Sequence, residues 1–378
     1  MPGFIAKKNG RYYPVVDLGR EGGKRRLKWH EGHATKEAAK TELRKLLGAL
    51  DQGAYVEPAR RTVGEWLTTW LEQYATPAVT PKTLERYRQI VDLHLRPRLG
   101  DVKLGKLTPL QVDAAYAALR EKKLSETTIR QVHAVLHRAL RVAVKKGLLG
   151  RNVADAVETP KPARHTVQPL DEAKTIALVE ATAGTPLGMP VLLAVMTGCR
   201  RGELLALRWR DVDLDAGRLT VRQSLEQTKA GLRFKPPKSG KPRAVALPAA
   251  AVAALKKHRA KQAETLLQLG KRLGDDDLVL AQVDGTPWPP DRLTRAFRDF
   301  LIRAKLPRMR FHDARHGHAS HLLRQGVPLK VVSERLGHST IGITADLYTH
   351  VLEGMDREAA DKLDAALKGA TKGASGNG

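Results

Sequence analysis

Tyr348 stands near the C-terminus, ten positions after His338, and both follow a cluster that contains His312 and Arg315. A tyrosine phenol has a pKa of about 10, so it attacks only where cations hold a phosphate and another group takes its proton. Arginine is permanently charged and histidine titrates near neutrality, so these residue types can supply both functions. The spacing therefore predicts phosphoryl-transfer chemistry with Tyr348 as the candidate nucleophile. A tyrosine that closes a helix against a core is the alternative.

Arg200 precedes an apolar, helix-like run, and Glu203 follows at a spacing of three residues. At that spacing the carboxylate can brace the guanidinium. A planar guanidinium can hold both non-bridging oxygens of a phosphodiester through two parallel hydrogen bonds. An ordinary salt bridge is the alternative. The pair therefore indicates a phosphate site only in combination with the histidines and the arginine downstream.

His312, His316 and His318 lie close together, and metal binding is the alternative interpretation of this segment. Zinc sites usually combine histidines with a cysteine cluster or an HExxH helix. The sequence has one cysteine, Cys199, and no HExxH motif. We therefore expect no metal site.

The chain of 378 residues carries 66 Lys and Arg against 40 Asp and Glu, a formal net charge of +26. Such an excess predicts a polyanionic partner. It is spread over residues 1–58, 59–165 and 166–378, each of which has a positive balance. This distribution favours an extended contact with double-stranded DNA, and it predicts binding that weakens steeply with salt.

The sequence pattern predicts a multidomain α+β fold. In residues 1–56, strand-like runs meet at Asn9-Gly10, a strong hairpin signal, and apolar residues recur at helical spacing after Gly32. We expect a small three-stranded sheet backed by one helix, which can lie in a DNA groove or serve as a packing module. The candidate DNA contacts here are Lys7, Arg11, Arg25 and Arg26.

Residues 62–158 are predicted to form an all-α helical bundle. Thr80 and Thr108 each precede a proline, a pairing that suits a helix cap and its first turn. Ser125 begins a further helix, whose polar side also holds His133 and His137. A basic helix face is commonly only a solvated surface, but the charge of this segment favours a DNA contact. The candidate contacts are Lys82, Arg86, Arg130, Arg138 and Arg141.

A proline-containing stretch at 158–165 is the strongest domain boundary in the chain. Beyond it, residues 166–368 are predicted to form a mainly α-helical domain with a small antiparallel sheet at 218–247. Residues 369–378 are rich in Gly and polar residues and predict a flexible tail.

Three motifs occur in a characteristic order: Thr197-Gly198-x-Arg200-x-x-Glu203-Leu204, His312-x-x-Arg315-His316, and Leu336-Gly337-His338 followed by Tyr348-Thr349-His350. In this order the chain resembles the tyrosine recombinase family, specifically its phage-type integrases. The segment 62–157 is similar to the family's core-type DNA-binding domain, and the segment around 32–39 is similar to its arm-type domain. Two positions depart from the family pattern: Cys199 stands where an apolar residue is common, and Asn152-Val153 replaces Asn-Pro.

The resemblance implies a role for each candidate. Arg200 and Arg315 would hold the non-bridging phosphate oxygens, and His338 would donate a further hydrogen bond to the phosphate. His312 would take or return the tyrosine proton, and Tyr348 would attack to give a 3′-phosphotyrosyl link and a free 5′-hydroxyl.

Two further residues receive supporting or acid roles by resemblance. Glu203 has the family's acidic supporting position. A hairpin lysine protonates the leaving oxygen in the family, and Lys238 matches it best because a small hydroxyl residue follows; Lys235 and Lys241 are neighbours in the same hairpin.

The resemblance implies a site-specific recombinase that integrates or excises a mobile element such as a phage genome at DNA attachment sites, without a cofactor. The family works as a homo-tetramer on synapsed DNA, with residues 355–367 as the element that would dock on a neighbour. A host DNA-bending protein and a directionality factor are further expected partners. Three alternatives remain: resolution of transposons or plasmid dimers, a relaxing enzyme of the topoisomerase IB type, and a non-cleaving DNA-binding regulator.

The compartment is inferred from cysteine use and from the lack of an export signal. A single cysteine cannot form an internal disulfide, and the first residues show no basic and apolar signal segment. The longest apolar stretch, 244–255, is shorter than the roughly 20 residues that span a bilayer. We expect a cytoplasmic, nucleoid-associated protein in a host cell, with no membrane partner.

Overall fold

The computed structural model describes residues 3–21, 24–51, 61–161 and 171–345, together with residues 360, 361 and 364. The chain divides into two compact units, Met1–His165 and Thr166–Gly378. Helices combine with small antiparallel sheets, so the predicted α+β class is confirmed. Tyr348, the tail at 369–378 and most of 355–367 lie outside the described residues.

The first unit begins with the predicted three-stranded antiparallel sheet. Its strands are β1 (Gly3–Lys8), β2 (Arg11–Glu21) and β3 (Lys24–Trp29), in the order β1-β2-β3, and α1 (Lys36–Asp51) packs against β1 and β2. Asn9 and Gly10 form the turn between β1 and β2 with φ of 50° and 73°, as an Asn-Gly hairpin requires. β2 continues to Glu21 beyond a register shift between Asp17 and Arg20.

The rest of the first unit is helical, as predicted. The helices are α2 (Val63–Thr69), α3 (Pro81–Ile90), α4 (Arg96–Leu99), α5 (Pro109–Glu121) and α6 (Glu126–Lys145), with π-helical turns at Trp70–Ala75 and Val91–Leu95 and 3₁₀ turns at Leu104–Lys106 and Val153–Ala156. Thr62, Thr80, Thr108 and Ser125 each accept a hydrogen bond from the backbone N–H three residues later. Side-chain caps therefore start four of these helices, because they satisfy otherwise unpaired N–H groups.

One residue of α6 differs from its prediction. His133 was expected on the polar side of the helix, but it is 7% exposed and its Nδ1 lies 3.1 Å from the hydroxyl of Tyr116 on α5. The ring of His137 stacks on it and pairs through Nε2 with Asp155. His133 therefore belongs to the core of the bundle, together with the buried Trp66 and Trp70.

The second unit surrounds two small sheets with helices. Its helices are α7 (Glu172–Thr182), α8 (Gly188–Thr197), α9 (Arg201–Leu204), α10 (Ala249–Gln268), α11 (Pro290–Arg303), α12 (Asp313–Arg324) and α13 (Leu329–Leu336), with a 3₁₀ turn at Trp209–Asp211. Its strands are β4 (Val212–Asp213), β5 (Arg218–Val221), β6 (Ser224–Thr228), β7 (Gly231–Lys235) and β8 (Arg243–Ala246). They form a sheet of order β4-β5-β8 and a separate β6-β7 hairpin.

The core of the second unit brings distant parts of the chain together. Leu193, Leu205, Leu219, Leu255 and Leu293, from helices, a strand and a loop, are all fully buried in one apolar cluster. This core holds three segments in place: the end of α8, the start of α9 and the loop before β8. In the ranges that the structure describes, no helix is long and apolar enough to cross a bilayer.

Candidate active site

Two helices end at a left-handed glycine just ahead of a candidate residue. Gly198 (φ 65°) follows α8 two residues before Arg200, and Gly337 (φ 66°) follows α13 one residue before His338. The N–H groups of Gly337 and His338 donate to carbonyls in the last turn of α13 at 2.9 and 3.1 Å. These are the two bonds of a Schellman cap. The end of α13 therefore fixes the backbone of His338.

The carbonyls at these helix ends orient both candidate arginines. Arg315, on the first turn of α12, donates from Nη1 to the carbonyl of Gly198 at 2.7 Å and from Nη2 to that of Leu336 at 2.8 Å. Arg200 donates from Nη2 to the carbonyl of Gly337 at 3.1 Å. Helix C-terminal carbonyls lack intrahelical partners and carry partial negative charge. They therefore stabilise two neighbouring guanidinium groups that would otherwise repel each other.

A buried carboxylate lies between Arg200 and a third arginine. Glu203, whose side chain is 1% exposed, accepts from Arg200 Nη1 at 2.9 Å and from Arg243 Nη2 at 2.6 Å. Arg243 also donates from Nε to the carbonyl of Arg335 at 3.0 Å. Glu203 thus contacts Arg200 at the predicted spacing. No sequence motif indicates the role of Arg243, because its partners lie 40 and 92 residues away along the chain.

Burial and neighbouring charges decide the ionisation of this group. Burial opposes the charge on Glu203, but Arg243 and Arg200 outweigh it and hold the pKa of Glu203 below its ordinary value. Burial also opposes the charge on Arg243, yet the hydrogen bond to Glu203 leaves the pKa of Arg243 raised. Burial, followed by the charge of Arg200, lowers the pKa of Arg315 to about 10. Arg243 and Arg315 are therefore charged at neutral pH.

Five of the predicted catalytic residues surround one pocket of about 270 Å³. These residues are Arg200, Lys238, His312, Arg315 and His338. The remaining lining includes Ser239, His316 and Ser339. Tyr348, the sixth predicted catalytic residue, lies outside the described residues. The pocket combines fixed cations with titratable groups, which is the combination that a phosphodiester reaction requires.

The two candidate histidines of the pocket are held neutral. Burial, followed by the charges of His316 and Arg315, lowers the pKa of His312 to about 4. Burial, followed by Arg315 and Arg200, likewise lowers the pKa of His338 to about 4. A neutral imidazole can accept a proton at one nitrogen and donate a hydrogen bond from the other. Both rings are therefore neutral at physiological pH, and each can accept a hydrogen bond at one nitrogen and donate one from the other.

The three lysines were expected in one hairpin, but β7 pairs with β6 and β8 pairs with β5, so Lys238 and Lys241 lie in the loop between β7 and β8. Their surroundings differ. Lys238 lines the pocket, whereas Lys235 pairs with Glu226 across the β6-β7 hairpin. Lys241 is not among the residues that line the pocket. The structure therefore distinguishes the three lysines by their contacts, although they are close together in the sequence.

His318 and Cys199 belong to the packing behind the pocket. His318 lies with Nδ1 2.8 Å from the carbonyl of Val195, and its Nε2 accepts from Arg335 Nε at 3.0 Å. Cys199 is buried, and burial raises the pKa of its thiol. Across the parts of the chain that are described, no group of three His, Cys, Asp or Glu residues is arranged to hold a metal ion.

Several candidate DNA contacts of the first unit have partners within the protein. Arg25 pairs with Asp17 at 2.7 Å, and Lys82 pairs with Glu85 at 3.6 Å. Lys7 lies over the ring of Tyr12, 5.4 Å from its centroid. Arg11 and Arg26 are exposed.

On α3 and α6, two more candidate arginines have partners within the protein. Arg86 donates to Gln89 and Gln131 at 2.7 Å each. Arg138 lies over the ring of Tyr87 and donates to its hydroxyl at 2.5 Å. The remaining candidates, Arg130 and Arg141, lie on the exposed side of α6.

Three family models match the chain in sequence order. The Arm DNA-binding domain matches residues 4–50, the phage integrase N-terminal SAM-like domain matches 62–120, and the phage integrase family matches 168–355. The chain belongs to the phage integrase family of tyrosine recombinases. Its activity is site-specific DNA recombination.

Curated relatives of this recombinase share its length and its family. A "Tyrosine recombinase XerC-like" protein of Caldanaerobacter subterraneus subsp. tengcongensis is 29% identical, over 94% of this chain and 97% of that protein. An "Integrase" of Streptomyces ambofaciens is 29% identical, over 96% of this chain and 95% of that protein. The "ICEBs1 integrase" of Bacillus subtilis is 27% identical, over 76% and 78%.

Solved structures of other recombinases share the fold. The Tn1549 transposon integrase in complex with a circular intermediate DNA has a TM-score of 0.68 at 19% identity, covering 80% of this chain and 99% of that one. A lambda integrase tetramer bound to a Holliday junction has a TM-score of 0.58 at 21% identity, covering 92% and 94%. The predicted fold class therefore has solved counterparts.

Proposed function

We propose that this recombinase cleaves and rejoins DNA by transesterification through Tyr348. The phenolic oxygen forms a bond to the phosphorus of the scissile phosphate, and the bond from phosphorus to the 5′-oxygen breaks. His312 takes the phenolic proton, and Lys238 gives a proton to the leaving 5′-oxygen. The products are a 3′-phosphotyrosyl link and a free 5′-hydroxyl. Attack by another 5′-hydroxyl reverses the step, so neither a nucleotide nor a metal ion is needed.

The pocket is the observation that carries this proposal. Two arginines with fixed guanidinium groups and a neutral His338 converge on one space of about 270 Å³. In the proposed reaction Arg200 and Arg315 stabilise the charge that develops on the phosphate oxygens, which is preorganised electrostatic stabilisation. His338 donates a hydrogen bond to the same phosphate, and Glu203 supports Arg200 from behind.

On the scale of the whole reaction, the protein integrates or excises a mobile element, such as a phage genome, at DNA attachment sites. Residues 1–56 bind arm-type sites, 62–158 bind core-type sites, 166–368 carry the reaction, and 369–378 form a tail. A tetramer on two synapsed duplexes performs the strand exchange, consistent with the lambda integrase tetramer on a Holliday junction. In this tetramer, residues 355–367 dock on a neighbouring protomer.

A host DNA-bending protein and a directionality factor assist the reaction. It takes place in the cytoplasm, at the nucleoid.

A suicide substrate tests the chemistry. A nick next to the scissile phosphate releases a short fragment after cleavage, so the covalent protein–DNA adduct accumulates and is visible on a denaturing gel. We expect adduct from the natural protein and none from Tyr348→Phe. The control is Tyr74→Phe, which removes the same hydroxyl from a tyrosine in the helical part of the first unit and should leave the adduct unchanged. Equal adduct from Tyr348→Phe and the natural protein would exclude Tyr348 as the nucleophile.

A further inference from the structure

A threonine outside the predicted catalytic set contacts His338 directly. The hydroxyl oxygen of Thr344 lies 2.7 Å from Nδ1 of His338. Thr344 is fully buried, whereas Ile341 and Ile343 beside it are 49% and 38% exposed. This hydroxyl therefore lies at Nδ1, and Nε2 is the other nitrogen of the ring.

The identity of the group at Nδ1 decides which nitrogen carries the single proton of a neutral imidazole. A carbonyl can only accept, so it requires an N–H at Nδ1. A hydroxyl can donate, so it can leave Nδ1 as the acceptor and the proton on Nε2. His338 can donate to a phosphate through Nε2 only in this second tautomer.

The same domain contains the opposite arrangement. Nδ1 of His318 lies 2.8 Å from the carbonyl of Val195, and Nε2 of His318 accepts from the guanidinium of Arg335. His318 is therefore fixed with its proton on Nδ1 and has no N–H to offer at Nε2. The two histidines differ in the partner of Nδ1, a carbonyl in one and a hydroxyl in the other.

We infer that Thr344 is a positioning residue that donates to Nδ1 of His338 and holds it in the Nε2–H tautomer, ready to donate to the scissile phosphate. This inference rests on the proposed function, since it assumes that the phosphate enters the pocket. Burial, followed by the cations around His338, also favours its neutral form, in which the choice of tautomer matters. In addition, Thr344 connects His338 to the helical residues 341–345, which lead in sequence to Tyr348.

Two substitutions distinguish the effect of the Thr344 hydroxyl from the effect of its side-chain shape. Thr344→Val keeps the branched volume and removes the donor, whereas Thr344→Ser keeps the donor. We expect Thr344→Val to slow single-turnover cleavage of the nicked substrate about tenfold, the usual effect of one lost hydrogen bond. Thr344→Ser should stay within about twofold of the natural rate, and the DNA affinity of both should be unchanged. A natural cleavage rate in Thr344→Val would overturn the inference.

A double-mutant cycle distinguishes positioning from a general structural effect. If Thr344 acts through His338, Thr344→Val should cause no further loss in a His338→Ala background. A purely structural role would reduce cleavage by the same factor in both backgrounds, and that result would overturn the inference. Thermal unfolding of each variant shows whether it is folded.

The tautomer itself can be read without DNA. In protein labelled with ¹⁵N-histidine, His338 should give the shift pattern of an Nε2–H imidazole, and Thr344→Val should move it towards a mixture of tautomers. His338→Ala assigns the signal, and His318 provides an internal Nδ1–H reference. An Nδ1–H signal from His338 in the natural protein would overturn the inference. Because this readout needs no cleavage, it stands apart from a failure of Tyr348 as the nucleophile.

Discussion

Lys235, Lys238 and Lys241, at the end of β7 and in the loop before β8, show how surroundings distinguish residues of one type. Lys235 is paired with Glu226, and Lys238 lines the candidate pocket. A lysine that is paired with a carboxylate is less available to a second partner. A lysine that faces a leaving alkoxide can instead transfer its proton. The structure therefore favours Lys238 as the general acid of the proposed reaction.

Substitution of each lysine tests this assignment. Lys238→Ala should slow cleavage by about 10²–10³, the usual contribution of a general acid, whereas Lys235→Ala and Lys241→Ala should have much smaller effects. A substrate with sulfur in place of the scissile 5′-oxygen has a leaving group that needs no protonation, so it should restore cleavage by Lys238→Ala. Single-turnover rates on both substrates provide the measurement. A large, sulfur-rescued loss in Lys241→Ala would reassign the acid to that residue.

At the scale of elements, helix ends form the site. The carbonyls after α8 and α13 accept from Arg200 and Arg315, and the turn after α13 also presents His338. Gly337 lies in this turn at φ 66°, where a side chain is strained. A Cβ at this position would also meet the guanidinium of Arg243 at 2.8 Å. The glycine is required by conformation and by the close approach of Arg243.

Gly337→Ala therefore has two expected effects. The left-handed conformation should cost about 1–2 kcal/mol of stability, and displacement of Arg243 should disturb Glu203 and slow cleavage. Gly326→Ala is the matched control, because Gly326 has φ 78° and open space around its Cβ position. It should lose a similar stability in urea unfolding and keep the natural cleavage rate. Equal cleavage rates for the two alanine variants would show that the contact with Arg243 does not matter.

Local signals made many elements predictable from the sequence. The caps at Thr80 and Thr108 and the Asn9-Gly10 turn depend on neighbouring residues, so their chemistry is visible in a short window. Arg243 was not assigned, because its contacts to Glu203 and to the α13 carbonyl exist only after folding. Thr344 carried no periodic or motif signal that would have linked its hydroxyl to His338.

Burial caused the clearest error in the sequence interpretation. His133 was assigned to a basic surface because histidine is polar and its neighbours on α6 are charged. The fold instead provides Tyr116 as a partner, and a buried polar group is acceptable when it is hydrogen-bonded. Such a partner from another helix cannot be inferred from the periodicity of one helix alone.

At the scale of the whole molecule, net charge is a poor guide to which cations are available to DNA. Many basic side chains of the first unit have acidic partners, as Arg120 does with Glu126 at 2.7 Å. Neutralised cations contribute little to phosphate binding, because their charge is already compensated. Arg130 and Arg141 lie on the exposed side of α6 and are the stronger candidates for phosphate contacts.

The salt dependence of DNA binding distinguishes the exposed Arg130 and Arg141 from the ion-paired Arg120. Each phosphate contact releases counterions, so loss of one contact should reduce the slope of log K against log salt by about 0.9. We expect this reduction for Arg130→Gln and for Arg141→Gln, measured by fluorescence anisotropy on duplex DNA over a range of NaCl concentrations. Arg120→Gln removes the same charge from the same helical domain and should leave the slope unchanged, because Arg120 is already paired with Glu126. If all three variants reduce the slope equally, net charge rather than exposed position governs DNA binding by this domain.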